Sequence, residues 1–183
     1  MLGALTAKFA LKISPEDEEH YVKEEENQVI ATLEKKAEPC VGCTPVLESI
    51  EASGKYLMAV VSSSALRRVN ASLKKVGQDK FFGDRVYSAA TSLPKPTSKP
   101  DPAVYIHAME KLGKDKSECV AVEDSKSGTL SAARAGIKVI GYVGSYEKER
   151  QDEMKEKLIA EGCQVVMYDW NEFEDMLKKI ESE

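Results

Sequence analysis

From residue 37 onward the chain alternates between short runs that are apolar throughout and longer stretches with helical spacing. The apolar runs are YLMAVVS (56–62), RVYSA (85–89), CVAVE (119–123), KVIGYV (138–143) and QVVMY (164–168). Helices are predicted between and after them, over about 45–53, 64–76, 102–112, 126–135, 146–161 and 170–181, the fourth ending at Gly136. A strand that is apolar on both faces must be covered on both faces. Strands of that kind, each followed by a helix, predict an α/β fold: a parallel sheet sandwiched between helices.

The chain before this alternation reads differently. Ser14-Pro15-Glu16-Asp17 has a serine cap, a proline in the first turn and acids beside the positive end of the dipole, which predicts a helix starting there and running to about Lys36. Its apolar stripe is interrupted (Tyr21, Val22, Val29, Ile30, Leu33), and Glu24, Glu25 and Glu26 read as a solvated face. Residues 2–13 fit two patterns: Phe9, Leu11 and Ile13 alternate with Lys8 and Lys12 as in a strand, while Leu2, Leu5 and Phe9 fit a helix, and helix is the reading taken. The break AEPCVGCTP then divides a helical segment, 1–36, from an α/β core, 37–183.

Composition narrows the classes of function. The 183 residues favour one domain with a small appendage, able to bury about 70% of the unfolded surface without staples. A net charge of -5 argues mildly against nucleic acid as a partner, since a phosphate backbone needs a basic face. No apolar run approaches the roughly 20 residues needed to cross a membrane. The start, MLGALTAKFALKIS, lacks a basic leader region and a small-residue cleavage site, and no arginine precedes Arg67, so neither a secretory signal nor a mitochondrial presequence is read. The expectation is a cytoplasmic protein whose four cysteines stay reduced.

Candidate chemistry sits at the strand ends, where parallel sheets bind their ligands. Ser62-Ser63-Ser64 follows the first long apolar run; a hydroxyl there, with the N–H groups opening the next helix, suits an anion, although a plain serine cap explains it too. Lys99 stands in SKPDP, where Pro100 and Pro102 restrain the backbone; a held lysine is a point charge suited to phosphate, although a surface lysine before a helix is the simpler reading. Glu123-Asp124 closes VAVED: hard carboxylate oxygens suit Mg²⁺, and a helix-capping Asp124 is the alternative.

Taken together, VVSSS…SKPDPAVY…VAVEDSKSG resembles the haloacid dehalogenase (HAD) superfamily, most of all its β-phosphoglucomutase and sugar-phosphate phosphatase branch. The resemblance covers about 37–183 well, and covers 1–36 loosely as the remnant of a helical cap. It implies a HAD-like Rossmannoid core with Ser62 and Ser63 binding phosphate, Lys99 steadying phosphate and nucleophile, and Glu123 and Asp124 binding Mg²⁺. Ser127 and Gly128 would belong to the supporting loop and helix start. The implied partner is phosphate or a small phosphorylated metabolite.

One part of the family pattern is missing. The resemblance implies a D-x-D motif ending a first strand, one aspartate as nucleophile and the other as general acid and base, and the chain contains no D-x-D. The expectation is therefore a HAD-like hydrolase with very weak or no turnover and weak Mg²⁺ binding, either shortened at its amino terminus (the favoured origin) or naturally degenerate. The alternative is a non-catalytic phosphate-binding or interaction protein.

The family's missing strand lies between those ending at Ser62 and Glu123. Its absence predicts that 56–62 and 119–123 pair directly, or that a second copy supplies a strand in a homodimer. Residues 5–13 are a poor filler because Lys8 and Lys12 would be buried. A third function, thiol redox chemistry, rests on Cys40-Val41-Gly42-Cys43 alone, which also reads as a simple loop. His20 and His107 are isolated on helices, GKDKS (113–117) lacks P-loop spacing, and Trp170 reads as packing.

Overall fold

The computed structural model describes residues 14–182. Helix α1 (Pro15–Lys36) starts where its sequence signals place it: Ser14 Oγ accepts the Asp17 N–H at 3.1 Å. No residue of α1 is buried. It lies along α3 (Leu66–Lys75), held by Arg67–Glu26 at 2.6 Å and Arg68–Glu25 at 2.5 Å. The expectation for 2–13 falls outside the described residues, as does the reading of 5–13 as a slot filler.

The core follows the predicted order. Helix α2 (Cys43–Ser53) leads to β1 (Val60–Ser62) and α3, and β2 is Val86–Ser88. Helix α4 (Asp79–Phe82), a single turn between α3 and β2, escaped prediction because it has too few residues to show a period. Next come α5 (Ala103–Leu112), a 3₁₀ turn at Lys116–Glu118, β3 (Val120–Glu123), α6 (Lys126–Arg134) and β4 (Lys138–Tyr142). Helix α7 (Lys148–Ala160), β5 (Val165–Met167), a 3₁₀ turn at Trp170–Glu172 and α8 (Phe173–Glu181) complete the chain.

All pairings are parallel, but the described strands form two sheets, β1-β2 and β3-β4-β5. The direct pairing of 56–62 with 119–123 expected from the sequence is not formed. Burial marks the division. Val139 and Ile140 of β4, flanked by strands on both sides, are fully buried. Every residue of β1 is half-exposed, and Val120 of β3 is 37% exposed. A strand lacking a neighbour on one side loses the cover that the neighbour and its connecting helix would give. Among the described residues β1 pairs on one side only, and its paired part, Val60–Ser62, is shorter than the apolar run that contains it.

Helices tie the two sheets together. From α2, Cys43 and Leu47 pack with Phe81, Phe82 and Val86 beside the smaller sheet, while Val46 and Ile50 pack with Ile140 and Met167 beside the larger. Trp170 touches both groups. Elsewhere, α5 sets Val104 and Tyr105 in one cluster with Ala89, which follows β2, and with Ala121 of β3. Packing across helices thus does what strand pairing does not.

Candidate phosphate and cation site

The carboxyl ends of β1 and β3 open into one crevice of about 420 Å³ lined by Ser62, Ser63, Lys99, Glu123, Asp124 and Ser127, among others. The five candidate site residues read from the sequence therefore share a wall. Their roles in it differ.

The serine loop is positioned from beneath by β2. Ser88 Oγ donates to Ser64 O at 2.7 Å, and the Leu66 N–H donates to Thr91 Oγ1 at 3.1 Å, fixing the entry to α3. Ser62 Oγ accepts the Ser64 N–H at 3.1 Å, which leaves its own proton free to donate to an anion. Ser63 Oγ accepts the Lys99 N–H at 3.1 Å, so that hydroxyl ties the two loops together.

The Lys99 loop is fastened to α6. Ser131 Oγ donates to Asp101 O at 2.7 Å, and Arg134 Nη1 to Pro100 O at 3.2 Å. Asp101 Oδ1 accepts the Ala103 N–H at 2.9 Å and starts α5. Restrained in this way, the Lys99 side chain is only 9% exposed. Its ammonium donates to Val61 O at 2.9 Å and to Glu123 Oε1, and lies 4.9 Å from the centre of the Tyr105 ring. An ammonium has three donors. Two are committed, and the third is available to a ligand in the crevice.

Glu123 is nearly as buried, at 8%. Its Oε1 also receives the Tyr105 hydroxyl. Burial pushes the Tyr105 phenol well above its ordinary value of 10.0, and the Glu123 and Asp124 charges add to the effect, so this hydroxyl remains a donor. The other oxygen, Oε2, sits over the first turn of α6: a Cβ added at Gly128 would fall 1.8 Å from it. Gly128 is therefore required for lack of space. Its N–H is capped by Ser125 Oγ at 3.0 Å. Asp124 differs from its neighbour. Its side chain is exposed, while its carbonyl accepts the Tyr146 hydroxyl at 2.9 Å.

Magnesium demands octahedral oxygen coordination and takes one or two carboxylates together with water or phosphate oxygens. Among the described residues no group of three or more His, Cys, Asp or Glu side chains converges. Glu123 Oε1 is filled by Lys99 and Tyr105, leaving Asp124 as the unengaged carboxylate in the crevice. The described residues do not complete a Mg²⁺ site.

The CxxC gains nothing from its surroundings. Cys40 is exposed and in contact with the Tyr142 hydroxyl at 3.5 Å, while Cys43 is buried. Burial pushes the Cys43 thiol up to about 11, with the nearby Cys40 contributing, the opposite of a reactive thiol.

Tyr105 was not singled out from the sequence. The signal was present in AVYIHAMEKL: Val104, Tyr105 and Ala108 are the buried positions of α5, and the tyrosine alone of the three brings a side-chain polar atom that needs a partner.

The sequence profile of haloacid dehalogenase-like hydrolases matches residues 4–142, and the chain belongs to that family. It is 30% identical over 145 residues to a phosphorylated carbohydrates phosphatase of Thermotoga maritima, an overlap of 79% of this chain and 63% of the relative. It is 30% identical over 102 residues to the 6-phosphogluconate phosphatase of Escherichia coli, covering 52% of this chain and 45% of that one. An Arabidopsis thaliana haloacid dehalogenase-like hydrolase domain-containing protein is 36% identical over 110 residues, 59% of this chain and 34% of the relative. The chain thus spans between about a third and two-thirds of the length of these relatives. Among solved structures, a family IA HAD hydrolase from Entamoeba histolytica superposes with a TM-score of 0.74 at 26% identity, covering 96% of this chain and 76% of that one. A haloacid dehalogenase-like protein from Agrobacterium tumefaciens gives 0.73 at 22% identity over 100% and 77% of the two chains, a likeness of fold. No helix among the described residues is long and apolar enough to cross a membrane.

Proposed function

We propose that the crevice between β1 and β3 binds the phosphate group of a small phosphorylated carbohydrate, and that this chain holds such a ligand far better than it hydrolyses it. The observation that carries the reading is the buried Lys99 ammonium, fixed by Val61 O and Glu123 and opening on the same crevice as the Ser62 hydroxyl. Phosphate oxygens would take the third ammonium proton, the Ser62 hydroxyl proton and the positive field at the start of α3. The sugar class is taken from the Thermotoga and E. coli relatives. The expectation of poor turnover comes from the absence of any D-x-D. Asp124 is unengaged in the crevice, but the acid beside it, Glu123, already has Oε1 committed to Lys99 and Tyr105, so the described residues supply no free pair of acids to act as nucleophile and proton donor.

Calorimetric titration of inorganic phosphate and 6-phosphogluconate tests this, run beside a chromogenic phosphomonoester assay. Saturable binding that weakens about tenfold or more in Ser62→Ala, a charge-assisted hydrogen bond lost, is expected without measurable turnover. Undiminished binding in that variant would reject the site. Robust turnover would reject the binding-only reading.

A further inference from the structure

Glu123 stands where the family resemblance implies a metal ligand, yet its surroundings serve a different purpose. Oε1 accepts from two buried donors at once, Lys99 Nζ and Tyr105 Oη. Oε2 overlies the amino-terminal turn of α6, at the positive end of that helix's dipole and too close to Gly128 for even a methyl group. A hydrated divalent cation approaching Glu123 would meet an ammonium on one side and a helix amino terminus on the other. To ligate through Oε1 it would have to displace the Tyr105 hydroxyl, which is buried inside α5 (the residue is 6% exposed) and bonded to that oxygen. An orphaned buried hydroxyl is costly, so the metal would bear that cost.

We propose that Tyr105 is a positioning residue that, together with Lys99, keeps Glu123 out of metal coordination, so that the described site holds phosphate through a fixed lysine without requiring Mg²⁺. By sharing Oε1, Tyr105 also holds the glutamate in the rotamer that points Lys99 toward Val61 O and the crevice. The ring below the ammonium contributes as well, since an aromatic face attracts a cation. Replacing the hydroxyl alone, in Tyr105→Phe, keeps the ring and its packing. It removes one donor from Oε1 and opens that lone pair to a cation.

The proposal rests on the crevice being an anion site, but its decisive arm needs no anion. Mn²⁺, a paramagnetic stand-in for Mg²⁺, is titrated into the full chain and into Tyr105→Phe, with free ion followed by electron paramagnetic resonance and folding checked by circular dichroism. The variant is expected to bind Mn²⁺ about fivefold more tightly or better, the equivalent of one hydrogen bond no longer broken. Unchanged or weaker binding by the folded variant would overturn the proposal. In the second arm, phosphate is titrated into the unsubstituted protein in Mg²⁺ and in EDTA. Affinities within about twofold of each other are expected, below the change that one hydrogen bond would make. A tenfold dependence on Mg²⁺ would overturn the proposal even where Tyr105→Phe fails to fold. Absence of phosphate binding in both buffers would reject the anion-site reading and the metal-free phosphate claim with it, leaving the Mn²⁺ arm to decide the role of Tyr105.

Discussion

Lys99 and Glu123 form a buried ion pair that spans the division between the two sheets: the ammonium reaches the carbonyl of Val61 in β1 and the carboxylate at the end of β3. Each residue is within a tenth of complete burial. A pair of this kind contributes little net stability as a pair, because both charges lose water, but either charge left alone is costly. The arrangement is best understood as positioning. It stations a cation at the open edge of β1, where no described strand pairs.

Lys99→Met is therefore expected to destabilise the fold by about 3–5 kcal/mol, since it strands the Glu123 carboxylate. The double variant Lys99→Met/Glu123→Gln should recover most of that loss, because glutamine is neutral and still accepts from Tyr105. Urea unfolding of the three proteins checks the pattern; equal losses in the single and double variants would contradict it.

Gly128→Ala tests the packing beneath the pair. Its Cβ would overlap Glu123 Oε2 and come within 2.8 Å of Ser125 Oγ, so the acid or the helix start must move. A loss of about 1–3 kcal/mol is expected from overpacking, with a concurrent loss of phosphate affinity as Lys99 follows Glu123. Thermal unfolding and phosphate titration report the two effects separately.

Much of this was legible in the sequence. The apolar runs marked the strands because a strand covered on both faces, such as the middle of β4 at Val139 and Ile140, has nowhere to put a polar side chain. Ser62, Ser63, Glu123 and Asp124 could be placed because they end or directly follow such runs, whereas Lys99, ten residues beyond RVYSA, was read from its proline-restrained loop. The length of β1 was not legible, since ladder bonds depend on what lies beside a strand rather than on its own residues, whereas β3 matched its run to within one residue. Nor was the division of the sheet, which α2 and α5 bridge by packing with no distinctive motif. The competition for Glu123 was hidden for a related reason. VAVED looks the same whether its glutamate faces a cation in solution or a lysine and a tyrosine from other elements, and only the fold brings Tyr105, 18 residues earlier, onto the same oxygen.

Cys43 gives a pH dependence. Its folded-state value, about 11, is raised above the ordinary 9.0 by burial. The unfolded thiol thus loses its proton first, and the stabilising difference is fully present below about 9 and is lost as pH rises from 9 toward 11. Cys43→Ala should flatten that part of the stability profile. Alkylation by iodoacetamide at pH 8 should mark Cys40 well before Cys43, with mass spectrometry of the digested protein reading the order; preferential labelling of Cys43 would contradict its assignment as an inert core thiol.

The crevice itself is tested most directly by amide and lysine-ammonium nuclear magnetic resonance during a titration with inorganic phosphate. The predicted result is saturable shifts concentrated at Ser62, Ser63, Ser64 and the Lys99 ammonium, with the serine-loop shifts abolished in Lys99→Met/Glu123→Gln while the rest of the spectrum stays dispersed. Shifts centred elsewhere, for instance along Glu110–Lys116 on the far end of α5, or none at all with phosphate in large excess, would contradict the account.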